Sequence, residues 1–306
     1  MMNQIPIILF TYKRLDTLQR CVASLQKCPE SSQSDLIIVS DFAAKEIDVE
    51  KVMAVRRFLP SIKGFKTIEI IERTQNLGVD YNIIDGIQLM AARFPKFIVV
   101  EDDLVVQKGF LHFLNASLEF YSNNPKVLSV SGFSFVDKIP KTYPHSGYFA
   151  KRTCPWGWGT WSHKIKDVDW EIANKADFLN SRNIQNEFNE WGSDRSRMLT
   201  NTLEGNVRAW DIRLDYHQFK EDSCTLYPLV SYVDNIGFGS EDASNTFGYN
   251  RFKTKLKEGQ TNDYELPETI MYDPIITKNF ISKNSVQQRI FTRVMKFINY
   301  KNLFIY

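Results

Sequence analysis

Cysteine and histidine are scarce in this chain, and both are scattered along it. The 306 residues include four of each. The cysteines form no C-x-x-C pair and the histidines have no zinc-ligand spacing, so the sequence indicates neither a disulfide framework nor a structural zinc site. We expect free thiols in a reducing compartment. The residues are Cys21, Cys28, Cys154 and Cys224, with His112, His145, His163 and His217.

Strong net charge and long apolar runs are also missing. The formal charge of +2 is close to balance, so no chain-wide basic field indicates a nucleic-acid partner. No stretch approaches the roughly 18 uninterrupted apolar residues of a membrane span, and we therefore expect no transmembrane helix and a cytoplasmic location. The first apolar segment, residues 1–10, is short and is typical of a first β-strand.

What the chain does contain is enough apolar sequence for a full core, with 43% hydrophobic and 24% charged residues. In the first half, apolar β-type runs alternate with helical patterns. The runs are hydrophobic throughout, as in strands that are covered on both faces, which predicts an α/β doubly wound parallel sheet. The predicted strands are Ile5–Thr11, Leu36–Ser40, Thr67–Ile71 and Phe97–Glu101, and the predicted helices are Leu15–Leu25, Val49–Leu59 and Tyr81–Arg93.

Three consecutive acids, Glu101, Asp102 and Asp103, follow the last of these strands. Ligands gather at the carboxyl ends of parallel strands, and carboxylates there can hold a hard divalent cation against a diphosphate. We predict that Asp103 binds the cation and that a neighbouring acid accepts from a ribose hydroxyl or a metal-bound water. The alternative is an acidic turn that only closes the strand.

Polar side chains also follow each of the other predicted strands, and all of them should lie at the same edge of the sheet. Thr11 and Arg14 come after the first strand, Asp41 after the second, and Arg73 and Asn76 after the third. Arginine offers a planar fork for phosphate oxygens, and an ionised carboxylate accepts hydrogen bonds from a uracil or a ribose. The alternatives are a helix cap at Thr11 and a turn aspartate at Asp41.

The second half of the chain has longer loops and most of the tryptophans. In the segment 154–161, Trp156, Gly157, Trp158 and Trp161 combine backbone that a ligand can approach with flat apolar walls for a sugar ring. Trp210 is a further candidate for this pocket. The alternative is a structural aromatic cluster beneath a loop.

Asp211 follows Trp210 at the start of a predicted helix that runs through His217. A partly desolvated carboxylate has the raised pKa that suits a general base. Asp215 lies one helical turn further on and competes for the role. A capping or salt-bridged surface acid is the alternative for Asp211.

Residues 287–306 interleave basic and apolar side chains with helical spacing. A basic amphipathic helix of this kind binds an anionic membrane surface, where each cation contributes on the order of 1 kcal/mol. We expect a peripheral location at the inner face of the cell membrane. A helix packed on the body of the protein, or a dimer contact, is the alternative.

Taken in order, these motifs resemble inverting nucleotide-sugar glycosyltransferases of the GT-A fold. The resemblance is to bacterial family-two-like enzymes and to the alpha-mannoside N-acetylglucosaminyltransferases, and it covers most of residues 4–245. It is carried by Pro6 to Arg14, Asn76-Leu77-Gly78, Val100-Glu101-Asp102-Asp103-Leu104, Pro155 to Trp161, Trp210-Asp211 and Asn235-Ile236-Gly237-Phe238-Gly239.

The resemblance implies a Rossmann-like, mostly parallel sheet flanked by helices, with an irregular acceptor-binding half. The change of pattern after residue 125 separately predicts a nucleotide-sugar half in residues 1–125, an acceptor-binding and catalytic half in 126–284, and the basic tail in 285–306. Relatives often carry a histidine shortly after the N-I-G-F element, whereas this chain has Asn245, with Glu241 and Asp242 nearby. The implied roles are nucleoside and diphosphate binding by Thr11, Arg14, Asp41 and Asp102, manganese or magnesium binding by Asp103, and deprotonation of the acceptor by Asp211.

The function so predicted is transfer of a sugar from a nucleotide diphosphate, with UDP as the first expectation. The acceptor would be a hydroxyl of a cell-surface glycan or a lipid-linked oligosaccharide. Two alternatives stay open. One is a sugar nucleotidyltransferase, although no glycine-rich, lysine-bearing phosphate loop follows the first strand. The other is a non-catalytic scaffold that binds glycan at a membrane surface.

Overall fold

The computed structural model describes residues 4–237, 252–253, 256–257 and 263–302. Within them, one eight-stranded sheet and a two-stranded ribbon are flanked by helices. The strands are β1 Ile7–Thr11, β2 Asp35–Ser40, β3 Thr67–Glu72, β4 Lys96–Glu101, β5 Leu104–Val106, β6 Val127–Ser131, β7 Gly147–Ala150, β8 Trp158–Trp161, β9 Cys224–Pro228 and β10 Val233–Asn235.

The helices include every one predicted from the sequence, with ends shifted by at most a few residues. They are α1 Leu15–Leu25, α2 Val49–Phe58, α3 Gly78–Arg93, α4 Phe110–Phe120, α5 Ser162–Ile165, α6 Lys175–Asn180, α7 Arg182–Phe188, α8 Arg195–Leu203, α9 Trp210–Lys220, α10 Pro274–Lys283 and α11 Val286–Asn302.

The sheet has the order β3-β2-β1-β4-β8-β6-β9-β7. Its first four strands are parallel, and the central residue Leu9 of β1 is aligned with Ile38 of β2 and Val100 of β4. All five residues of β1 are buried, because α1 packs on one face of the sheet and α3 on the other. The predicted mostly parallel α/β fold is confirmed.

The second half of the chain extends this sheet instead of forming a separate one. Strand β8 is antiparallel to both β4 and β6, β9 is parallel to β6, and β7 is antiparallel to β9. The carboxyl ends of β4, β6 and β9 therefore meet the amino ends of β8 and β7 at one edge, which we call the carboxyl edge. A hydrogen bond of 2.7 Å from the Gly132 N–H to the Gly157 carbonyl joins β6 to β8 there.

All four cysteines are buried as free thiols. The C-terminal segment forms a helix, α11, as its spacing predicted. Across the described ranges, no helix combines the length and the apolar character that a membrane span requires.

Candidate active site

Asp102 joins the end of β4 to the loop that follows β1. Its Oδ2 accepts hydrogen bonds from the Thr11 hydroxyl at 3.0 Å and from the Tyr12 N–H at 3.2 Å. Its Oδ1 accepts from Nη2 of Arg14 at 2.5 Å. The structure thus brings Thr11, Arg14 and Asp102 together, and the Asp102 carboxylate is buried in the arrangement.

Arg14 also reaches Asp103, with Nη1 at 3.1 Å from Oδ2. Burial raises the pKa of Asp103, Arg14 opposes the rise and Asp102 adds to it. Burial also disfavours the charge on Arg14, but the two carboxylates outweigh it and raise the pKa of the guanidinium. One arginine therefore balances two neighbouring acids at the carboxyl edge.

The Asn235-Ile236-Gly237 element lies directly over Asp103. Strand β10 pairs with β5, and the Ile236 N–H donates to the Asp103 carbonyl at 2.9 Å. A Cβ atom at Gly237 would collide with the Asp103 carboxylate and would lie 3.1 Å from Nη1 of Arg14. Only glycine fits here without displacing the acid. The expected substitutes for the histidine of the similar enzymes, Glu241, Asp242 and Asn245, lie outside the described residues.

Glu101 is the acid of the triplet whose carboxylate has the fewest protein partners. Its side chain is half-buried, and its carboxylate accepts no hydrogen bond from any residue that the structure describes. Burial and the charge of Asp103 raise its pKa well above the ordinary value, with smaller contributions from Asp102 and Asp211 and with Arg14 opposing. The interaction with Asp211 places the acidic triplet and the start of α9 within electrostatic range of each other.

Asp211 lies in the first turn of α9, as predicted, and its side chain is half-buried. Burial raises its pKa to about 6, Asp215 adds to the rise and Arg152 opposes it. No other described residue donates a hydrogen bond to its carboxylate. A carboxylate with a pKa near neutrality and open hydrogen-bonding capacity has the properties of a general base.

Asp215, the competing acid, is buried and bonds to other groups of the protein. Its Oδ1 accepts from the Thr153 N–H at 2.8 Å and its Oδ2 accepts from Nε of Arg195 at 2.7 Å. Only 3% of Asp215 and 1% of Arg195 is exposed, so this ion pair does not face a ligand. The geometry therefore favours Asp211 over Asp215 as the reactive acid.

Asp80 is a residue of this region that the sequence analysis did not single out. It lies in the first turn of α3 and is 5% exposed, and its Oδ1 is buried without a hydrogen-bond partner. Burial raises its pKa, while Arg213, Arg208 and the N–H of Trp210 oppose the rise. Its nearness to the start of α9 explains why its charge also raises the pKa of Asp211. The sequence feature that could have identified Asp80 is its position as an acid in the first helical turn after Gly78.

Asp41 and Asn76 fasten the loop after β2 to the loop after β3. The Oδ1 atom of Asp41 accepts from the N–H groups of Phe42 and Leu77, both at 2.9 Å. Its Oδ2 accepts from the Asn76 side chain and from the Gly78 N–H, both at 3.0 Å. Asn76 also donates to the Phe42 carbonyl at 2.6 Å. The two side chains shape the carboxyl edge, and their contact with a nucleoside stays a prediction.

Arg73 is turned toward α3. Its Nε donates to Oδ1 of Asn82 at 3.1 Å, and its Nη2 pairs with Asp85. Phosphate binding by Arg73 stays a prediction, and it requires the guanidinium to exchange Asp85 for the phosphate.

The prediction that Trp158, Trp161 and Trp210 wall a sugar pocket is wrong, because all three are core residues. They are 1%, 2% and 4% exposed. Trp158 stacks on Trp210 with ring centroids 5.8 Å apart, and the Trp161 indole N–H donates to the Leu118 carbonyl at 3.0 Å. These rings hold β8 against the helices on both faces of the sheet.

Trp156 and Gly157 remain candidates for the acceptor side. Trp156 is half-buried. Its ring packs edge-on against the rings of Phe133 and Phe252, with ring centroids 4.7 Å and 5.5 Å apart. Gly157 has a φ of +63°, and an added Cβ would lie 3.0 Å from both Phe110 and Val233. Glycine thus allows the chain to turn closely into β8 just after Trp156.

The chemistry of the acids suits a cation that is shared with a substrate. No cluster of three or more acidic, histidine or cysteine side chains within the described ranges is arranged to hold a metal ion alone. Magnesium and manganese, however, prefer oxygen ligands, and magnesium often binds through one or two carboxylates plus substrate phosphates. Asp103 and Glu101 provide such oxygens at the carboxyl edge.

Comparison with known proteins gives neither a family model nor a curated protein that matches this chain. Among solved structures, S. aureus TarS matches at 13% identity over 55% of this chain and 30% of that one, with a TM-score of 0.37. Residues 1–349 of TarS in complex with UDP match at 14% identity over 55% of this chain and 49% of that one, with a TM-score of 0.36.

The mannosyltransferase PcManGT from Pyrobaculum calidifontis, in complex with GDP-Man and Mn2+, matches at 12% identity over 54% of this chain and 46% of that one, with a TM-score of 0.37. The match therefore spans less than half of each of these solved chains. At this level of similarity, the function has to be argued from the residues of the site.

Proposed function

We propose that this protein is a glycosyltransferase that moves a sugar from a nucleotide diphosphate donor to a hydroxyl group of an acceptor. The observation that carries the proposal is Asp211, a half-buried carboxylate with its pKa raised to about 6 and within electrostatic range of the acidic triplet. A general base beside an edge that carries Arg14 and the acidic triplet suits the transfer of a sugar from its phosphate to a hydroxyl group.

The donor side of the proposed site consists of the β1 loop and the end of β4. Arg14 and the loop amides that follow Thr11 would face the diphosphate, and Asp102 keeps Arg14 in place through a bond of 2.5 Å. Asp103 and Glu101 would hold Mg2+ or Mn2+ together with phosphate oxygens. When bound, the cation supplies positive charge that stabilises the leaving diphosphate.

In the proposed reaction, the acceptor oxygen forms a bond to the anomeric carbon of the donor sugar from the face opposite the diphosphate. The bond between that carbon and the phosphate oxygen breaks, and the nucleoside diphosphate leaves with the bonding electrons. The acceptor proton passes to Asp211. Attack on the opposite face inverts the anomeric configuration, through a transition state with oxocarbenium character.

The finer parts of the proposal follow from the motif order. They are a UDP-linked donor, with a hexose or an N-acetylhexosamine as the sugar, and a cell-surface glycan or lipid-linked oligosaccharide as the acceptor. A peripheral position on the inner face of the membrane, through α11, belongs to the same proposal. Its support is the exposure of apolar side chains on α11, namely Val286, Ile290, Phe291 and Val294.

The test is turnover of a panel of UDP- and GDP-linked sugars by the full chain with manganese, with separate detection of nucleoside diphosphate and pyrophosphate. We expect release of one nucleoside diphosphate, at least about 100-fold slower in Asp211→Asn. Pyrophosphate as the product would indicate a nucleotidyltransferase instead. A chain that turns over no donor, with or without a mixture of oligosaccharide acceptors, would contradict the proposal and favour a scaffold.

A further inference from the structure

Arg208 lies in the segment between α8 and α9, and its guanidinium rests on the backbone at the start of α3. A Cβ atom at Gly78, the first residue of α3, would collide with Nη1 of Arg208 and would lie 3.5 Å from its Cζ. Gly78 also has a φ of +76°, a conformation that favours glycine. The missing side chain at residue 78 therefore leaves the space that the guanidinium occupies at the carboxyl edge.

The backbone beneath Arg208 is hydrogen-bonded to the region that is proposed to face the diphosphate. The Gly78 N–H donates to Oδ2 of Asp41 at 3.0 Å, and the Asp41 N–H donates to the Thr11 carbonyl at 3.1 Å. Thr11 is the last residue of β1, and the amides of the loop that follows it are those assigned to the diphosphate in the proposed function. Asp41 alone thus separates the Arg208 contact from the start of that loop.

Arg208 is also close to the proposed base. Burial raises the pKa of Asp80, which lies in the first turn of α3. Arg213, Arg208 and the N–H of Trp210 oppose the rise, so all three lie near this carboxylate. The charge of Asp80 acts in turn on Asp211. Arg208 therefore lies between the donor loop and the start of α9, and in the proposed reaction the bond between the sugar and the diphosphate breaks between these two places.

The two arginines that the sequence predicts to bind phosphate already pair with acids of the protein. Arg14 pairs with two carboxylates of the acidic triplet, and Arg73 pairs with Asp85. Arg208, by contrast, donates a hydrogen bond to no residue that the structure describes, and its side chain is exposed. An arginine whose N–H donors are open can take a ligand without first giving up an ion pair.

A leaving diphosphate needs such a cation, because its negative charge grows during transfer. The bonding electrons of the broken C–O bond stay on the phosphate oxygen. A guanidinium beside that phosphate stabilises the transition state more than the ground state, and its planar fork matches two phosphate oxygens. The acids of the site, Asp80, Glu101 and Asp211, offer the diphosphate no counter-charge of their own.

We infer that Arg208 binds the diphosphate of the donor and stabilises it as it leaves. The inference rests on the proposed function, because it requires a nucleotide diphosphate donor at the loop after β1. It gives the segment before α9 a direct part in donor binding, in addition to the proposed base that α9 carries. Loss of Arg208 should therefore weaken the binding of a nucleoside diphosphate more than that of the matching monophosphate, which lacks the phosphate that leaves the sugar.

The experiment measures the Kd of UDP, GDP, CDP and ADP, and of the matching monophosphates, by calorimetry of the full chain with manganese. Arg208→Ala removes the guanidinium, and Arg208→Lys keeps a charge but loses the planar fork. Arg182→Ala is the matched control, because Arg182 on α7 is also exposed and also donates to no described residue. Turnover of the sugar donors is measured on the same proteins, and circular dichroism checks their fold.

In Arg208→Ala we expect the Kd of the bound diphosphate to rise and kcat to fall, each at least about tenfold, with the Kd of the monophosphate unchanged. Arg208→Lys should lie between Arg208→Ala and the wild type, and Arg182→Ala should match the wild type.

Three results would overturn the inference and leave the proposed function standing. They are unchanged diphosphate binding and kcat in Arg208→Ala, an equal loss of monophosphate binding, and a change confined to the KM of the acceptor. A wild-type chain that binds none of the four diphosphates and turns over no donor would refute the proposed function, and this inference with it.

Discussion

Arg195 and Asp215 form a buried ion pair beneath the proposed base, with Nε donating to Oδ2 at 2.7 Å. The same carboxylate accepts from the Thr153 N–H at 2.8 Å, so it joins α8 and α9 to the chain that leads to Trp156. Its charge also raises the pKa of Asp211. Asp215 therefore acts on the proposed reaction through Asp211 and not by touching a substrate.

This relationship predicts a shift in the pH profile of Asp215→Asn. A general base works when it is deprotonated, so wild-type turnover should fall as the pH drops below about 6. Loss of the Asp215 charge lowers the pKa of Asp211, and the acidic limb should move down by roughly one pH unit. The measurement is kcat against pH, at a temperature where circular dichroism shows an intact fold.

The control for this profile is Asp222→Asn, since Asp222 pairs with Lys126 and Lys151 and its side chain is 66% exposed. The acidic limb of the Asp222→Asn pH profile should coincide with that of the wild type. If Asp215→Asn slows turnover at every pH without moving the limb, its role is structural only.

Asp211→Asn should lose activity and gain stability. The raised pKa means that the folded state binds more protons than the unfolded state between about pH 4 and pH 6, so wild-type stability falls as the pH rises through that window. Asparagine removes this cost, and we expect a gain of about 2 kcal/mol in the free energy of unfolding at pH 7.5. Urea unfolding at pH 7.5 and pH 3.5 measures it, and the gain should shrink at the lower pH. The same gain at both pH values would contradict the assignment of the raised pKa.

Arg14→Leu should destabilise the fold strongly, because it leaves Asp102 and Asp103 buried without their cation. The expected loss is about 3 kcal/mol in the free energy of unfolding near neutral pH. Arg57→Leu is the control, since the side chains of its pair with Glu50 are 60% and 80% exposed, and it should cost less than about 0.5 kcal/mol. Equal effects of the two substitutions in urea unfolding would show that Arg14 does not balance the two acids.

The helix α11 should bind anionic lipid. Ile290 and Val294 are 55% and 49% exposed, and Arg289 fastens the helix to the body by donating to the Ser193 hydroxyl at 2.9 Å. We expect the full chain to sediment with vesicles that contain anionic lipid and not with neutral ones. Removal of residues 286–306, or Ile290→Asp with Val294→Asp, should abolish this, whereas Ile47→Asp should not. Unchanged sedimentation of the truncated chain would rule out the membrane role.

The strands and helices of the first half were predictable because their signals are local. A strand that is covered on both faces is apolar throughout, and the helices between the strands repeat their apolar residues every three or four positions. The position of Asp211 at the start of a helix was predicted correctly in the same way. That Asp215 is committed to Arg195 could not be predicted, because 20 residues separate them and only the packing of α8 on α9 joins them.

The tryptophans show where sequence patterns fail. Trp158 and Trp161 are three residues apart on one strand, so they point to opposite faces of the sheet. Because β8 lies between β4 and β6 in the interior of the sheet, helices cover both rings. Without the strand order, a segment rich in glycine and tryptophan suggested an open pocket. Asp41 uses both of its carboxylate oxygens to fasten two loops, which the sequence did not indicate, and its contact with a nucleoside stays a prediction.

The most direct test of the central claim is thermal stabilisation of the full chain by UDP, GDP, CDP and ADP, each with and without manganese. A ligand that binds the folded state raises its apparent stability with occupancy, by about 2.7 kcal/mol at a hundred times its Kd. We predict a shift in Tm with one nucleoside diphosphate, UDP first, that depends on manganese and is lost in Asp103→Asn. No shift with any of the four nucleotides, with or without the metal, would contradict the claim.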